Sequence, residues 1–574
     1  MAETLLSPGV LARENDSSFV TAQPIQAGAA IVGPTPKGPV EKPRLVTSYS
    51  QYKAIFGAAF ESGSQQFSYF TSIGAFNYFQ NGGDSLLVTR VTSGSFTPAT
   101  STTVNNNITT ASNTFQLTTL SEGTIMNSSG SLSSGGALAS GSIDNIRWEI
   151  ANPNTESGVF SLLIRRGDDT TNEKTVLETW QNLSLDPKAD NYIEKVIGNS
   201  TETVQSDGGQ YYIQNQGSYT NKSSYVRVSA VYQKTPDYFD NDGNVKSQYT
   251  ASIPTAGSGS FSGATGDLYS QATGSPAQFY DNVTTGNIQG LTGTDYTIAL
   301  NLLNNKDDYR FNVISSPGLT TQNAASQVTS LSSVAINRGD NIAIVDLVNW
   351  GAETATVTTQ AATYNTSYAA AYWPWVQTID PDTGQTVWVP ASTVIPGVMA
   401  FTDRSSEPWF APAGLNRGGL GTVIRAEKKL ASATRDTLYT ANVNPIATFP
   451  QAGVVVFGQK TLQKAATALD RVNVRRLLIS LKNYISQISD SLVFEQNSAA
   501  TRNNFLTQVN PYLESVRQRQ GLYAFKVVMD ESNNGPDVVD RNELVGQIYL
   551  QPTKTAEFII LDFNVLPTGA TFPA

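Results

Sequence analysis

The middle of this sequence differs in composition from the parts on either side of it. Residues 92–288 are rich in Ser, Thr, Gly and Asn and contain short apolar runs at residues 146–150, 160–165 and 225–232. Such runs of β-branched and aromatic side chains are typical of strands, and the polar residues between them are typical of loops. We therefore expect a mostly β insertion on the outside of the protein, between two parts of different character.

The segment before the insertion predicts a helix followed by a buried strand. Aromatic residues recur at helical spacing from Phe67 to Phe79, and Asn81-Gly82-Gly83 ends the pattern as C-terminal helix signals do. The apolar run at residues 86–91 follows. This order is typical of an α/β domain.

The segment after the insertion predicts a β-α-β unit. Residues 310–314 and 341–347 have strand patterns, and residues 324–336 between them have a helical one. Two such strands are expected to be parallel, with a right-handed crossover. We expect residues 25–91 and 289–365 to form one α/β domain that the insertion interrupts.

The C-terminal part ends in three predicted strands. Two of them, residues 523–529 and 544–550, are separated by a polar stretch with Asn-Gly and Gly-Pro, which favour a chain reversal. In the third, residues 558–565, positions 559, 561, 563 and 565 are apolar while 562 and 564 are polar, the period of a half-buried strand. A strand of this kind must be paired or covered, because an open edge invites association.

These patterns predict an α+β / α/β multidomain fold. We expect an N-terminal arm at residues 1–24, a C-terminal core domain at residues 366–555, and a linking strand and tail at residues 556–574. The arm has few apolar residues and no helical period.

Composition limits the chemistry that the chain can perform. The 574 residues include neither histidine nor cysteine. This removes imidazole bases, the common catalytic triads, thiolate nucleophiles and most zinc sites. Acidic pairs such as Asp168 and Asp169 lie in turn-rich sequence that does not fix their separation. We expect no enzymatic activity, no cofactor and no metal.

The sequence shows no targeting or membrane-spanning pattern. Apolar runs stay short of the ~18 to 20 residues needed to cross a bilayer, and the first residues lack a basic and an apolar region. We expect no signal peptide and no membrane insertion.

Charge is distributed unevenly along the chain. The net charge is −10, but residues 417–519 contain 14 Lys and Arg against 6 Asp and Glu, a balance of +8, which leaves −18 for the rest. Two amphipathic helices are predicted in this basic segment, and their polar faces carry Arg475, Arg476, Lys482, Arg502, Arg517 and Arg519. Such a surface could meet an acidic protein, bind nucleic acid, or simply be solvated.

Several short motifs, taken in order, resemble contractile tail sheath proteins. The similarity begins at Ser7-Pro-Gly-Val10 and Lys37-Gly-Pro39, covers residues 1–91 and 290–574, and leaves out the insertion. Phe401 departs from the usual pattern before Thr402-Asp403, and this affects only a local contact. The further motifs are Trp373-Pro-Trp375, Asp380-Pro-Asp-Thr-Gly384, Pro408-Trp409, Val474-Arg-Arg-Leu477, Phe494-Glu-Gln-Asn497, Asn533-Asn534, Tyr549-Leu-Gln-Pro552 and Ala556-Glu-Phe-Ile559.

The resemblance implies a structural role in a bacteriophage tail. Members of this family form hexameric discs that stack helically around a rigid tube and contract to drive it through the host envelope. The implied partners are further copies of the chain, the tail tube protein, and the baseplate and tail terminator proteins. The implied location is the virion tail, after assembly in the host cytoplasm, with no direct contact to nucleic acid.

Three groups of residues are the candidate site of such a subunit. We expect the N-terminal arm and the C-terminal strand to meet in the C-terminal sheet of an adjacent subunit. The basic helices are expected to face an acidic tube. The arm contributes Val10, Glu14, Phe19 and Val20; the strand contributes Phe558, Ile559, Ile560, Leu561, Phe563 and Val565; the tube-facing candidates are Arg475, Arg476, Lys482, Arg502, Arg517 and Arg519.

Other functions remain compatible with the sequence. The same sheath architecture would suit a phage-like bactericidal particle or another contractile injection system. The basic segment could bind duplex DNA, which steep salt dependence would reveal. The polar β insertion would also suit a glycan-binding surface protein.

Overall fold

The structure is a computed structural model that describes residues 25–62, 65–108, 112–267 and 279–557. The candidate arm residues Val10, Glu14, Phe19 and Val20 lie outside the described residues, and so does the C-terminal strand, residues 558–565. The strands are, in chain order, β1 (Ile25–Gly33), β2 (Arg44–Val46), β3 (Phe60–Ser62), β4 (Gln65–Phe67), β5 (Leu86–Arg90), β6 (Pro98–Ser101), β7 (Phe115–Glu122), β8 (Ile146–Asn154), β9 (Val159–Arg166), β10 (Val176–Ser184), β11 (Thr201–Asp207), β12 (Gln210–Gln216), β13 (Val226–Val231), β14 (Gly257–Gly259), β15 (Phe261–Ser262), β16 (Tyr309–Thr320), β17 (Ile342–Asp346), β18 (Ala369–Trp373), β19 (Val376–Ile379), β20 (Thr386–Val389), β21 (Val423–Ala426), β22 (Val443–Phe449), β23 (Gly453–Val456), β24 (Leu522–Val528) and β25 (Gln547–Pro552).

The helices alternate with the strands in the flanking parts and are few in the insertion. They are α1 (Tyr49–Phe56), α2 (Phe70–Gln80), α3 (Ile193–Ile197), α4 (Ser247–Thr250), α5 (Thr297–Leu302), α6 (Thr321–Arg338), α7 (Thr354–Ala361), α8 (Ile395–Ser405), α9 (Gly414–Arg417), α10 (Ser432–Thr440), α11 (Val472–Asp490), α12 (Ala499–Gln518) and α13 (Pro536–Asp540). A mixed α/β multidomain fold is thereby confirmed.

An eight-stranded sheet forms the body of the protein, in the order β2-β5-β1-β16-β17-β18-β22-β23. Neighbouring strands from β5 to β22 are parallel, while β2 and β23 join the two edges antiparallel. All five residues of β5, β17 and β18 are buried, as is usual for parallel strands covered on both faces. The first half of the α/β domain thus pairs directly with the second, through β1 and β16.

Helix α6 follows the predicted β-α-β pattern, and its ends are set by local chemistry. The Thr320 side chain accepts a hydrogen bond from the Asn323 N–H, and the Asn323 side chain accepts one from the Thr320 N–H. This reciprocal pair satisfies two of the donors that a helix start leaves free. Gly339 ends the helix at φ 72°, a left-handed conformation that glycine adopts without steric cost.

The insertion is a β-sandwich with its own core. One antiparallel sheet has the order β10-β9-β8-β14 and the other β13-β7-β6-β15. Phe115, Trp148, Phe160 and Leu162 are among the buried residues between them. Within this sandwich Asp169 is buried and accepts hydrogen bonds from Nε (2.7 Å) and Nη2 (2.8 Å) of Arg165, so it is a structural partner of that arginine.

Charged contacts attach the insertion to the body. The buried guanidinium of Arg90, on β5, donates to the carbonyl oxygens of Gly38 (2.7 Å) and of Glu122 (2.8 Å), which ends β7. Arg44 on β2 donates to Glu202 on β11 (3.1 Å). The β11–β12 hairpin thus reaches from the insertion back to the edge of the main sheet.

The C-terminal part has a separate core beneath two helices. Helices α11 and α12 pack against the β24–β25 hairpin around a cluster that includes Trp409, Leu477, Phe505 and Leu513. Helix α12 continues through Pro511 without interruption. Among the helices in the described parts of the chain, none is long and apolar enough to cross a bilayer.

The main sheet does not end at the expected domain boundary. Strands β18 and β22 follow residue 366 in sequence, yet they extend the sheet that begins with β1. Most residues of the core beneath the helices belong to α11 or to later elements, and α11 begins at Val472. We therefore place the boundary of the C-terminal domain near residue 470, and the domain division as a whole stays a proposal.

Asp346 is a buried carboxyl at the end of β17. It accepts a hydrogen bond from the Ser392 N–H (3.1 Å) and another from the Ser392 hydroxyl. Burial raises the pKa of Asp346 to about 7, although the bonds from Ser392 and the Gly318 N–H act to lower it. The group therefore joins the central strand of the sheet to the segment before α8.

The stability of the body should depend on pH through Asp346. Between pH 6 and 8 the folded state binds a proton that the unfolded state has already lost, so folding is favoured as pH falls. We expect the free energy of unfolding to be higher at pH 6 than at pH 8 by about 1 kcal/mol. Asp346→Asn should remove that difference, as measured by urea unfolding of the monomer at both pH values.

The matched control is Asp190→Asn, because Asp190 is fully exposed and should leave the pH dependence as it is in the original chain. Equal pH dependence in the original chain and in Asp346→Asn would contradict the account.

Candidate subunit-linking interface

The β24–β25 hairpin is a small amphipathic sheet. Its strands are antiparallel, with Phe525 opposite Leu550 and Val527 opposite Ile548. These four side chains are partly buried against the core under the helices. On the other side Tyr549, opposite Lys526, is 56% exposed, and Tyr523, at the irregular start of β24, is 63% exposed. The alternation is that of a sheet with one covered face.

Both edges of this hairpin are open in the described part of the chain. The sheet contains β24 and β25 alone, so each strand has pairing on one side only. A two-stranded sheet is marginally stable by itself, and each open edge presents a row of backbone N–H and C=O groups to a further strand. The geometry can therefore accept one additional strand on each side.

Asn534 holds the long connection between the two strands in place. It is buried, its amide oxygen accepts from the Val545 N–H (2.8 Å), and its amide nitrogen donates to the Val545 C=O (2.8 Å). The same nitrogen donates to the Asp530 C=O (3.2 Å). The side chain thus pairs with the backbone as a neighbouring strand would, which accounts for the Asn533-Asn534 motif.

Glu557, the last described residue, is fixed to the body. Arg471 donates from Nε to Oε1 (2.7 Å) and from Nη2 to Oε2 (2.9 Å) of this carboxylate. Gln459 donates to Oε1 (3.0 Å), and the Tyr439 hydroxyl donates to Oε2. Burial acts to raise the pKa of Glu557, but these hydrogen bonds outweigh it and the pKa is lowered.

This carboxylate fixes the starting point of the C-terminal segment. The sequence analysis quoted Glu557 within the Ala556-Glu-Phe-Ile559 motif but assigned it no role. Its partners come from three other elements, 86 to 118 positions away in the chain. A bidentate arginine–carboxylate pair adds direction as well as attraction. Residues 558–574 follow directly on this anchored residue in the sequence.

Three of the six tube-facing candidates are not on an exposed face. Arg475 and Arg476, on α11, are 4% and 3% exposed, and Arg502, on α12, is 9% exposed. Arg476 donates from Nη2 to both carboxylate oxygens of Asp403 (2.6 Å each). Arg475 lies over the ring of Tyr368, 4.0 Å from its centroid. The expectation that these three arginines are exposed is wrong.

The other three candidates are exposed. Lys482 donates to the Tyr368 hydroxyl (3.0 Å). Arg517 donates to Glu514 (2.7 Å), and Arg519 donates to Glu407 (2.8 Å). The contact of these residues with a tube stays a prediction.

The described residues contain no group of three or more acidic, histidine or cysteine side chains placed to hold a metal ion. The surfaces here that can accept a partner are the backbone edges of the β24–β25 hairpin and a groove beside Glu557. The groove is lined by Trp409, Phe410, Phe457 and Tyr523, among others.

Removing the Asn534 side chain should destabilise the hairpin. Asn534→Ala leaves the partly buried Val545 N–H and C=O without their side-chain partner, and each lost hydrogen bond costs about 0.5 to 1.5 kcal/mol. We expect faster hydrogen exchange at residues 522–528 and 547–552 while the main sheet is unchanged. Asn533→Ala is a useful comparison, because Asn533 lies at the same turn and bonds to the Val528 C=O from a less buried site. Equal exchange in both variants would contradict the role of Asn534.

Comparison with known proteins gives matches in two consecutive parts of the chain. Residues 289–462 match the phage tail sheath protein central domain, and residues 464–566 match the phage tail sheath C-terminal domain. The tail sheath protein of Vibrio phage KVP40 is 36% identical over 263 residues, which are 45% of this chain and 39% of that protein. The tail sheath protein of Enterobacteria phage T4 is 37% identical over 230 residues, 40% of this chain and 35% of that protein. The chain thus spans about two fifths of the length of these curated relatives.

The fold can be compared over nearly the whole chain. The crystal structure of a sheath tail protein from Listeria innocua matches 92% of this chain and 95% of its own, with a TM-score of 0.52 and 11% identity. This likeness concerns the fold alone. The two domain matches confirm the resemblance seen in the motifs: residues 289–462 and 464–566 of this chain are similar to the central and C-terminal domains of phage tail sheath proteins.

Proposed function

We propose that this protein is a structural subunit of the contractile sheath around a phage tail tube. The observation that carries the proposal is the β24–β25 hairpin, which leaves both edges open in the described part of the chain, next to the point where the C-terminal segment begins. The family matches support it from sequence. Subunits polymerise into hexameric discs that stack into a helix in the virion tail, after assembly in the host cytoplasm.

The link between subunits is an exchange of strands. The N-terminal arm, through residues 10–20, and the C-terminal strand, residues 558–565, pair with the hairpin edges of an adjacent subunit. Each backbone hydrogen bond in such a pairing contributes about 0.5 to 1.5 kcal/mol, and a head-to-tail contact of this type extends into a helical array. The strand pairs through its main chain. The segments that connect it to its own body can therefore change direction while the hydrogen bonds to the neighbouring subunit are kept.

Contraction requires the bodies to change neighbours while the links hold. The β-sandwich insertion and the eight-stranded body are joined by buried charge contacts, such as those of Arg90, and each has a packed core. They therefore move as rigid parts. We propose that energy is stored in a metastable extended packing and released when the bodies repack, as a switch between two arrangements.

Removal of residues 1–20 should prevent this assembly. Without the arm, one hairpin edge has no strand to accept, so the lattice cannot close. The full chain should form tubes or stacked rings in negative-stain electron microscopy, with tail tube protein as seed if the chain alone does not polymerise. The truncated chain should stay monomeric under the same conditions.

The control is Tyr212→Ser, a change at an exposed position on the β11–β12 hairpin of the insertion, which should assemble like the original chain. Equal polymerisation of the full and truncated chains would rule out the arm as the link.

The exposed basic side chains suit a tube protein with an acidic outer surface. Arg517 and Arg519 lie at the end of α12, beside the hairpin, and each already has an acidic neighbour within the chain. Surface pairs of this kind are worth about 0 to 1 kcal/mol and are screened by salt, which suits a contact that must release on contraction. The baseplate and tail terminator proteins complete the proposed set of partners at the two ends of the tube.

Reversal of charge at both arginines should weaken co-assembly with the tail tube protein. Arg517→Glu combined with Arg519→Glu should lower the fraction of tubes coated with sheath at low salt, with a smaller effect at high salt, in co-sedimentation. Lys195→Glu, a charge reversal on the exposed surface of the insertion, should coat tubes normally. Unchanged coating by the double variant at low salt would exclude these arginines from the tube contact. Strong, salt-dependent binding of duplex DNA by the original chain would favour the nucleic-acid alternative.

A further inference from the structure

A groove lies between the body and the C-terminal domain, beside Glu557. Its volume is about 1000 Å³. The body contributes Phe410, Arg435 and Phe457, and the C-terminal domain contributes Leu522 and Tyr523. Phe457 and Tyr523 are 44% and 63% exposed, so the groove leaves aromatic surface open to solvent.

The groove combines three kinds of chemistry. Its walls are aromatic. Arg435 lies over the rings of Phe449 and Phe457, at 5.5 and 5.8 Å from their centroids, and Arg417 lies over Phe410 at 5.1 Å, so cations sit beside the apolar surface.

Two buried amides supply the third kind. Asn473 and Gln459 line the groove and are 3% and 4% exposed, and their side-chain oxygens lack a hydrogen-bond partner among the described residues. Buried acceptors of this kind normally find a donor. Backbone N–H groups of a peptide are such donors, so the groove has the character of a peptide-binding site.

One segment of the chain starts inside this groove. Glu557 lines it, and the seventeen residues that follow are Phe-Ile-Ile-Leu-Asp-Phe-Asn-Val-Leu-Pro-Thr-Gly-Ala-Thr-Phe-Pro-Ala. The first six include five large apolar side chains, which suit the aromatic walls of the groove. The negative charge of Asp562 is complementary to the positive charges of Arg417 and Arg435. The segment needs no long connection to reach the groove, because the residue before it, Glu557, is already held there by Arg471.

We propose that in the unassembled subunit residues 558–565 occupy this groove of their own chain. The run from Phe558 to Phe563 is apolar, rich in β-formers and nearly uncharged, which makes it prone to aggregate when it is uncovered. Seated in the groove, the run is covered until an adjacent subunit offers a hairpin edge. The same residues cannot pair with a neighbour and fill the groove at once, so the groove competes with sheath assembly.

The seated state rests on the groove alone. The competition with sheath assembly rests, in addition, on the proposed function, in which residues 558–565 link adjacent subunits. The seated state and the linking role can therefore fail separately. If removal of residues 558–574 leaves assembly unchanged, the linking role of this segment fails, while the seated state is still measurable in the full-length monomer.

Engineered cysteines test the seated state directly, because the chain has no cysteine of its own. The test pair is Ile560→Cys with Ser432→Cys, since Ser432 is an exposed residue that lines the groove. The control pair is Ile560→Cys with Ser405→Cys, where the second serine is also exposed but lies outside the groove lining. Both pairs are oxidised in dilute, monomeric full-length chain and followed by mass spectrometry.

The groove pair should form an intramolecular disulfide about tenfold faster than the control pair, because a seated segment exceeds the ~mM local concentration that tethering alone provides. Adding Arg435→Glu to the groove pair should slow it toward the control rate. Equal rates for the two pairs, disulfides only between chains, or no effect of Arg435→Glu would each overturn the proposal. If these outcomes occur while removal of residues 558–574 still prevents assembly, the linking role of the segment stands and only the seated state is wrong.

Discussion

Unmade backbone hydrogen bonds at the edges of the β24–β25 hairpin are the constraint on which the rest of this structure depends. A two-stranded sheet over a helical layer can be held by its buried face, here Phe525, Val527, Ile548 and Leu550, but its edges still present donors and acceptors. Most proteins cover such edges or place charged residues, prolines or bulges there that prevent pairing with another strand. This chain instead supports the hairpin firmly, through Asn534 in the connecting loop and through α11 and α12 beneath, and leaves the edges open in the described residues.

The fixed position of Glu557 complements that constraint. A segment that is to link two subunits must leave its own body at a defined point, or tension on it would simply unravel the chain. The bidentate contact with Arg471, supported by Tyr439 and Gln459, provides that point. It also places the beginning of the segment in an apolar groove, so one anchor serves two possible partners: the groove of the same chain and the edge of a neighbour.

Local patterns in the sequence were sufficient to predict several strands and the longer helices, including β16, α6 and β17, because burial on one or two faces leaves a period of 2 or 3.6. They failed where a distant element decides the outcome. Arg475 and Arg476 fall on the polar side of α11, but Tyr368 and Asp403, about 70 to 110 positions earlier, bury them. Strand β18 begins with three alanines, and its place in the main sheet is set by pairing with β17 and β22, so the sheet passes the boundary expected at residue 366. The strand that the sequence predicted to need a partner, residues 558–565, lies outside the described residues. The open edges of the β24–β25 hairpin and the anchor at Glu557 were not predicted, because the anchor depends on three side chains that no local pattern connects.

The central claim is that strands from an adjacent subunit complete the C-terminal sheet. Electron cryomicroscopy of the assembled helical tube, at a resolution that separates strands, tests it most directly. We predict extended density along the outer edges of β24 and β25, continuous with residue 25 or residue 557 of a neighbouring subunit. Edges that stay bare in the tube, or that are covered by the terminal segments of the same subunit, would contradict the account.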